Sequence, residues 1–146
     1  MLSNSCRYGI RAVIYIASQP HANGKTGIKQ ISKDLGLPTP FLAKILQQLA
    51  KQKILNSFKG PHGGFSLMKD PKKITLLDIV RTIDGEDVFT NCVIHNKACK
   101  SIDKQKDPCP VHEDYSNVRN DLIELFSSKT IQDMVIKVNE TEKIII

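Results

Sequence analysis

With 146 residues, of which 40% are hydrophobic, the chain is long enough to bury the core of one domain of ordinary size. No apolar run approaches the length of a membrane span, and the first residues, Met1-Leu2-Ser3-Asn4-Ser5, lack the hydrophobic region of a signal peptide. The sequence therefore argues against a membrane protein, and we expect a cytoplasmic one.

The net charge of +6 is unevenly distributed along the chain. Residues 1–82 contain 13 Lys and Arg against 3 Asp and Glu, a net charge of +10, whereas residues 83–146 contain 8 against 12, a net charge of −4. A basic half is typical of a phosphate-binding surface. The competing class, a basic membrane-surface protein, needs a basic amphipathic helix with a broad apolar face, and the sequence offers none that is free of core packing.

Three helices are predicted in the first third of the chain. Residues 5–18 carry an apolar stripe at helical spacing and end at Gln19-Pro20. In the second helix Ile28, Ile31 and Leu35 face a core, and Gly36 suits the left-handed position that ends a helix. The third helix follows at once, with Thr39 predicted as its N-cap and Pro40 at its first position.

The third helix has two contrasting faces. One face is apolar and is expected to be buried: Phe41, Leu42, Ile45, Leu46 and Leu49. The other face combines a small residue, two amides and two lysines: Ala43, Lys44, Gln47, Gln48 and Lys51. Amides can pair with adenine edges and lysines with guanine or phosphate, so this face suits a DNA major groove. The alternative is an ordinary solvated helix face.

A short hairpin is predicted after the third helix, with strands at residues 54–59 and 65–67. Its tip contains three glycines and a proline, which let backbone approach a surface closely. A helix, a turn, a second helix and a wing form a DNA-reading layout. The candidate DNA-binding residues are Thr39, Ala43, Lys44, Gln47, Gln48, Lys51, Lys59, Pro61, His62 and Gly63. A hairpin without a DNA role is the alternative.

The predicted organisation has three segments. Residues 1–85 form a winged helix-turn-helix domain, with the helix-turn-helix at about 28–51, the wing at about 54–68 and a capping box, Thr75-Leu76-Leu77-Asp78, opening a helix through Ile83. Residues 86–110 form a cysteine-containing sensor loop. Residues 111–146 form a dimerisation helix and a C-terminal segment. The fold class is mainly α, with a small β-hairpin wing and a long C-terminal dimerisation helix.

The dimerisation helix is predicted from about Val111 to Ser127. Its apolar residues step by 4, 3, 4 and 3, which is coiled-coil spacing: Val111, Tyr115, Val118, Leu122 and Leu125. Packing of this helix on its own domain is the alternative. Residues 130–133 then cap a last short helix.

The chemistry of the chain is predicted in the cysteine loop. Clustered cysteines in a cytoplasmic protein favour metal over disulfide, and thiolates with an imidazole bind soft or borderline metals. The candidate ligands are Cys92, Cys99, Cys109 and His112. Spacing alone permits zinc, an iron–sulfur cluster or a metal-free set of redox thiols. His95 is the alternative to His112.

Four motifs together carry a family resemblance. They are Arg7-Tyr8-Gly9-Ile10-Arg11-Ala12, Phe41-Leu42-x-Lys44-Ile45-Leu46-x-x-Leu49, Lys59-Gly60-x-x-Gly63-Gly64-Phe65 and Ile74-Thr75-Leu76-Leu77-Asp78-Ile79-Val80-Arg81. They resemble the Rrf-two (Rrf2) family of bacterial winged-helix regulators, which includes iron–sulfur regulators (IscR type), nitric oxide sensors (NsrR type) and repressors of cysteine metabolism (CymR type). The resemblance implies a homodimeric transcription factor that binds a two-fold symmetric operator in double-stranded DNA, and repression is the expected mode.

The resemblance also implies a cofactor. Three cysteines in a sensing loop match Cys92, Cys99 and Cys109, and in the IscR type a histidine three residues later completes a [2Fe–2S] site, a position that His112 matches. The expected cofactor is therefore an iron–sulfur cluster, with zinc or no metal as alternatives. The NsrR type ligates a [4Fe–4S] cluster through an aspartate near the start of the first helix. Arg7 stands there in this chain, which argues against that ligation.

The chain departs from the family at several positions. Arginine is common where Lys59 stands, some members carry an acidic residue where Ala43 stands, and the gaps of six and nine residues between the cysteines exceed the usual five. Operator preference is therefore not inferred from the family.

Two other functions compete with a cluster-controlled regulator. One is a metal-free regulator gated by a protein partner or a small effector, as the CymR type implies. The other is an enzyme, which is not expected because the sequence has no paired acid and base, phosphate loop or Cys-x-x-Cys, and the glycines at 60–64 lie on a hairpin.

Overall fold

The structure, a computed structural model, describes residues 2–20, 24–95, 97–99 and 109–141. The elements within these residues are α1 (Asn4–Ser18), α2 (Ile28–Leu35), α3 (Thr39–Lys51), β1 (Leu55–Phe58), β2 (Gly64–Leu67), a 3-10 helix (Pro71–Lys73), α4 (Leu76–Asp84), α5 (Asp87–Thr90), α6 (His112–Ser128) and α7 (Ile131–Glu140). A mainly helical fold with a two-stranded hairpin confirms the predicted fold class. Among these helices none has both the length and the apolar character needed to cross a bilayer.

The turn between α2 and α3 follows the sequence prediction at Gly36 but not at Thr39. Gly36 adopts φ 63° and ψ 34°, the left-handed conformation that ends α2. The N-cap of α3 is Pro38, so Thr39 is already helical and the predicted cap is wrong. The Thr39 hydroxyl instead lies 2.8 Å from the hydroxyl of Ser32, which ties the start of α3 to α2.

The apolar face of α3 is buried except at its first turn. Leu42, Ile45, Leu46 and Leu49 are at most 4% exposed, whereas Phe41 is 41% exposed, so its predicted burial is wrong. The Phe41 ring packs edge-on against Tyr8 of α1, with 5.7 Å between ring centroids. Phe41 therefore lies on the apolar stripe, but at the N-terminal end of α3 its side chain extends beyond the core.

The wing is an antiparallel hairpin anchored to the start of α2. β1 pairs with β2 from Leu55 opposite Leu67 to Phe58 opposite Gly64. Thr26 extends the sheet, because its N–H and C=O both bond to the backbone of Phe65 at 2.8 Å. The wing is therefore fixed to the helix-turn-helix on its inner side, while its tip projects.

Two hydrophobic clusters form the interior. The first joins α1, α2, α3, the hairpin, α4 and α7, and its fully buried members include Ile16, Ile31, Leu46 and Ile131. The second joins α1, α4, α5 and α6 through Cys6, Leu77, Val80, Phe89 and Phe126. Ile10, Leu76 and Ile83 pack against both clusters, so the two clusters share a boundary rather than lying apart.

The last helix, α7, is joined to α4 of the N-terminal half by backbone hydrogen bonds. Backbone bonds from Leu76 N–H to the Lys129 carbonyl (2.9 Å) and from Ile131 N–H to the Ile74 carbonyl (2.8 Å) join the starts of α4 and α7. Each of these helices opens with a capping box, at Thr75 and at Thr130, and both boxes follow the sequence prediction.

The segment 86–110 is not wholly a loop, which corrects the sequence prediction. α5 occupies Asp87–Thr90 and buries Phe89, which is 4% exposed. Four residues span only about one helical turn, so they carry no helical periodicity that a sequence pattern could reveal.

A substitution at Gly64 tests the anchoring of the wing. A Cβ at Gly64 would overlap the backbone carbonyl of Thr26, and backbone yields less than a flexible side chain. We expect Gly64→Ala to lower the free energy of unfolding by about 1–3 kcal/mol, the usual cost of overpacking. A Cβ at Gly27 would meet only the Gly63 carbonyl oxygen at 3.9 Å, so Gly27→Ala is the control. It should cost no more than about 1 kcal/mol, through loss of the glycine N-cap. Urea unfolding measures both, and equal costs would contradict the anchoring.

Candidate nucleic-acid interface and cysteine cluster

The outer face of α3 forms a shallow groove. The residues predicted to read DNA line it together: Ala43, Lys44, Gln47, Gln48 and Lys51. All except the half-buried Ala43 are exposed. The residues buried on the opposite side hold α3 rigidly, so this face is presented by a fixed helix rather than by a loop.

The two amides of this face already make hydrogen bonds within the protein. Gln47 Nε2 donates to the Ser57 hydroxyl on β1 at 3.2 Å, and Gln48 Nε2 donates to the Thr82 carbonyl on α4 at 2.7 Å. Base contact through either donor would exchange an internal hydrogen bond for an external one. The amides therefore also connect α3 to the wing and to α4.

The wing tip stands across a second groove from α3. This groove has a volume of about 520 Å³ and is bordered by residues of both elements, including Ala43, Gln47, Lys59, Pro61 and Gly63. Lys59, Pro61 and His62 are exposed, and a bond of 2.9 Å from Gly63 N–H to the Gly60 carbonyl closes the turn. The structure thus places the predicted residues of the wing and those of α3 from Ala43 to Lys51 along one continuous surface. Thr39, half-buried beside Ser32, does not line these grooves.

Two further lysines of this surface were not among the DNA-binding residues predicted from the sequence. Lys29, on α2, lines the groove between α3 and the wing, and Lys25 lies beside Gly63 and His62. The Lys25 ammonium lies 5.3 Å from the centroid of the Phe58 ring on β1, a cation–π contact that holds it against the wing. The available signal was the basic pair that flanks the start of α2, which adjoins the wing only after folding.

The cysteine cluster lies between α5 and α6. The sulfur atoms of Cys92 and Cys109 are 3.5 Å apart, and one imidazole nitrogen of His95 lies within 4.8 Å of both. Cys99 is outside this 4.8 Å group, although its side chain hydrogen-bonds the Cys92 sulfur. The predicted cysteines therefore converge, and all three are free thiols.

The two central thiols have opposite shifts in acidity. The pKa of Cys92 is lowered, chiefly because the backbone N–H of His95 donates to its sulfur. The backbone N–H of Ile94 adds a second hydrogen bond. The pKa of Cys109 is raised: the Val111 N–H opposes the rise, but desolvation and the Cys92 sulfur outweigh it. The thiolate form is therefore favoured at Cys92 over Cys109.

Arg119 of α6 contacts the cluster and was not predicted. Its Nη1 lies 3.2 Å from Cys99 Sγ and 3.4 Å from the Asn91 carbonyl, and its guanidinium lies 5.7 Å from the centroid of the Tyr115 ring. These contacts fix the direction of the Arg119 side chain and hold its guanidinium beside the cysteine cluster. No sequence signal distinguished this arginine, because it lies 20 residues beyond Cys99.

The donor set fits the predicted type of cofactor. Three thiols and an imidazole are the soft and borderline ligands that zinc and iron–sulfur clusters take. His112, the predicted imidazole ligand, begins α6 and is not in the 4.8 Å group found among the described residues. Cys6 is excluded from the site: it is fully buried in the second hydrophobic cluster, and burial, with Asp84 nearby, raises its pKa to about 12.

Comparisons with known proteins bear on both surfaces. The sequence profile of the Rrf2 family, described as an iron-dependent transcriptional regulator, matches residues 2–137. A protein of Aquifex aeolicus (strain VF5), described as an HTH-type transcriptional regulator, is 32% identical over 135 residues, which span 92% of this chain and 91% of that protein.

Solved structures share the fold. CymR, described as the global cysteine regulator of Bacillus subtilis, superposes with a TM-score of 0.73 at 24% identity and covers 94% of this chain and 97% of its own. The IscR protein of T. potens also gives a TM-score of 0.73, at 23% identity, over 97% of this chain and 90% of its own. At these identities the likeness shows the fold alone.

Proposed function

The chain belongs to the Rrf2 family of transcriptional regulators, and we propose that it binds a two-fold symmetric operator as a homodimer under the control of an iron–sulfur cluster. Family membership confirms the resemblance identified in the motifs and the prediction that the chain is not an enzyme. Because a bacterial regulator meets its operator in the cytoplasm, we place the protein there.

Residues of α3 and of the wing form the proposed DNA interface. We assign α3 to the major groove through Thr39, Ala43, Lys44, Gln47, Gln48 and Lys51, and the wing tip to the adjacent backbone or minor groove through Lys59, Pro61, His62 and Gly63. The continuous surface along α3 and the wing supports this assignment. Lys25 and Lys29 add charge at its edge.

Lysine substitutions test this interface. Lys44→Ala and Lys59→Ala should each weaken operator binding and reduce the slope of log K against log salt by about 1, because each removes one phosphate contact. Lys137→Ala, at an exposed lysine on α7, is the matched control and should leave both quantities unchanged. Fluorescence anisotropy over a salt series, with an operator selected by the wild-type protein, measures both. Unchanged affinity in Lys44→Ala and Lys59→Ala would place the interface elsewhere.

The exposed stripe of α6 supports the homodimer. Ile123 and Phe126 pack inward on the second cluster, so part of the helix follows the alternative of packing on its own domain. Val118 and Leu125, on the heptad stripe, are 62% and 48% exposed. Large apolar side chains at coiled-coil spacing on an exposed face are typical of a helix that pairs with a second copy.

A charge on this stripe should separate the subunits. Val118→Glu would bury an unpaired carboxylate in each half of the interface, so we expect self-association to weaken by about tenfold or more. Asn120→Glu, at an exposed position of α6 off the stripe, is the control and should remain dimeric. Light scattering coupled to size exclusion measures the mass, and circular dichroism confirms the fold. A dimeric Val118→Glu protein would contradict the assigned interface.

One observation carries the proposed control: the three sensor cysteines converge directly against α6. The thiolate ligands in this proposal are Cys92, Cys99 and Cys109. The family resemblance favours His112 as the imidazole ligand, with His95 as the alternative, and a cluster of [2Fe–2S] type suits three thiolates and one imidazole. When bound, such a cluster supplies iron–thiolate bonds that oxidants or nitric oxide attack. The residues of the chain supply the ligands and hold them in place.

Arg119 is the physical connection between the ligands and the dimer helix. Arg119 lies on α6, the helix that also carries Val118. Its guanidinium donates hydrogen bonds to Cys99 Sγ and to the Asn91 carbonyl. A change in the position of Cys99 therefore acts on α6 directly. A coupling free energy of about 1–3 kcal/mol, or roughly 5–150-fold in operator affinity, is sufficient for regulation.

Anaerobic purification tests this control. The wild-type protein should be coloured and contain iron and sulfide, and its operator affinity should change when the cluster is removed. Arg119→Met should retain the colour but bring the ratio of loaded to unloaded affinity close to 1. Arg81→Met is the control, because it removes an arginine whose 2.8 Å ion pair with Glu86 is exposed. A colourless, iron-free wild-type protein would overturn the cluster, and an unchanged ratio in Arg119→Met would overturn the coupling.

A cleft beside the cluster favours the second candidate, a metal-free regulator gated by a small effector or a protein partner. It has a volume of about 240 Å³ and lies between α5 and α6. Its polar lining includes Asp87, Asn91 and Arg119, and its apolar lining includes Leu122. The same anaerobic preparation discriminates, because this candidate requires operator control without iron or sulfide.

A further inference from the structure

Two histidines follow cysteines at the same spacing in the sequence, but they differ in their distance from the cysteine sulfurs in the structure. Cys92-x-x-His95 and Cys109-x-x-His112 are equivalent patterns in the sequence. One imidazole nitrogen of His95 lies within 4.8 Å of the sulfurs of both Cys92 and Cys109. Among the described residues, no such group includes His112. The spacing in the sequence favours neither histidine as a ligand, whereas the folded structure favours His95.

His95 also carries a buried nitrogen without a partner. Its Nε2 is shielded from solvent and has no hydrogen-bond partner within the described part of the chain. Leaving a polar group buried and unpaired costs about 1–3 kcal/mol, so buried polar atoms normally have partners. A buried, unpaired imidazole nitrogen on a ring beside two thiols is typical of a metal ligand.

Backbone hydrogen bonds hold His95 in this position. The Lys97 N–H donates to the His95 carbonyl at 2.8 Å, and the Cys92 N–H donates to the Lys97 carbonyl at 2.9 Å. The Ile94 N–H donates to the Cys92 sulfur at 3.4 Å. These bonds hold residues 92–95 close to Lys97 and bring a sulfur and an imidazole towards the same point, as a preorganised metal site requires.

His112 is held by a different part of the fold. It is the first residue of α6, and its N–H donates to the Cys109 carbonyl at 3.2 Å. Its side-chain direction is therefore set by a helix of 17 residues that packs on the second cluster. In this arrangement the imidazole of His112 is not in the 4.8 Å group found among the described residues, whereas that of His95 is.

We propose that His95, rather than His112, supplies the imidazole ligand, with Cys92 and Cys109 at the centre of the site and Cys99 as the third thiolate. The site takes a thiophilic metal centre: an iron–sulfur cluster or a single tetrahedral divalent ion. For the iron–sulfur form this inference rests on the proposed function, whereas binding of a single divalent ion does not.

Cobalt binding tests the assignment without a cluster. Reduced, metal-free full-length protein is titrated with CoCl₂, and thiolate-to-cobalt charge-transfer absorption reports binding. His95→Ala should weaken binding by about tenfold or more, since even indirect losses at metal sites cost 10–100-fold. His112→Ala, the matched control, should bind as the wild type does. The reverse pattern, or equal binding by both variants, overturns the proposal.

A conservative substitution tests the cluster form. Exchange of an imidazole ligand for a thiolate lowers the reduction potential of a [2Fe–2S] centre. His95→Cys should therefore keep iron and sulfide but shift the reduction potential downward, whereas His112→Cys should not shift it. A shift in His112→Cys alone overturns the proposal while leaving the proposed function intact. Absence of iron and sulfide in the wild-type protein instead defeats the proposed function, and the cobalt result then decides the assignment of His95.

Discussion

The edge-to-face contact between Phe89 and Phe126 determines where the cysteine segment can lie. The ring centroids are 6.1 Å apart at an interplanar angle of 87°, inside the second hydrophobic cluster. Phe89 precedes the first sensor cysteine by three residues, and Phe126 anchors the helix that begins three residues after the last. Both ends of the segment are therefore fixed to one core, which reduces the entropy cost of bringing Cys92 and Cys109 together.

The division of the interior into two clusters has a functional consequence. The first cluster holds the helix-turn-helix and the wing, and it includes none of the described residues of the cysteine segment, residues 86–110. A change in that segment therefore leaves the reading surface packed. In the proposed control, we expect communication to pass through the side chains that touch both clusters: Ile10, Leu76 and Ile83. Such a contiguous boundary gives the proposed control a physical route from sensor to reading helix without unfolding either part.

Features encoded by a few consecutive residues were predictable from the sequence, whereas features that depend on tertiary packing were not. Gly36 and the two capping boxes are encoded within four residues, and the hairpin by its glycines, so all were predictable. The exposure of Phe41, the helix at residues 87–90 and the approach of Arg119 to Cys99 depend on which elements meet. The family resemblance favoured His112, whereas among the described residues it is the imidazole of His95 that lies beside the sulfurs of Cys92 and Cys109. The family was recognisable because its motifs combine local signals from four separate elements.

The uneven charge of the chain divides along the structure, with the basic half at α3 and the wing and the acidic half at α6. The grooves along α3 and the wing belong to the half with a net charge of +10, whereas α6 starts with Glu113 and Asp114 in the half with a net charge of −4. Acidic residues stabilise the positive end of a helix, and they also repel phosphate within a Debye length of about 10 Å. In the proposed function this polarity orients the protein on DNA with its cysteine segment directed away from the duplex. The salt dependence of binding then reports on one half of the molecule, and the response to oxidants reports on the other.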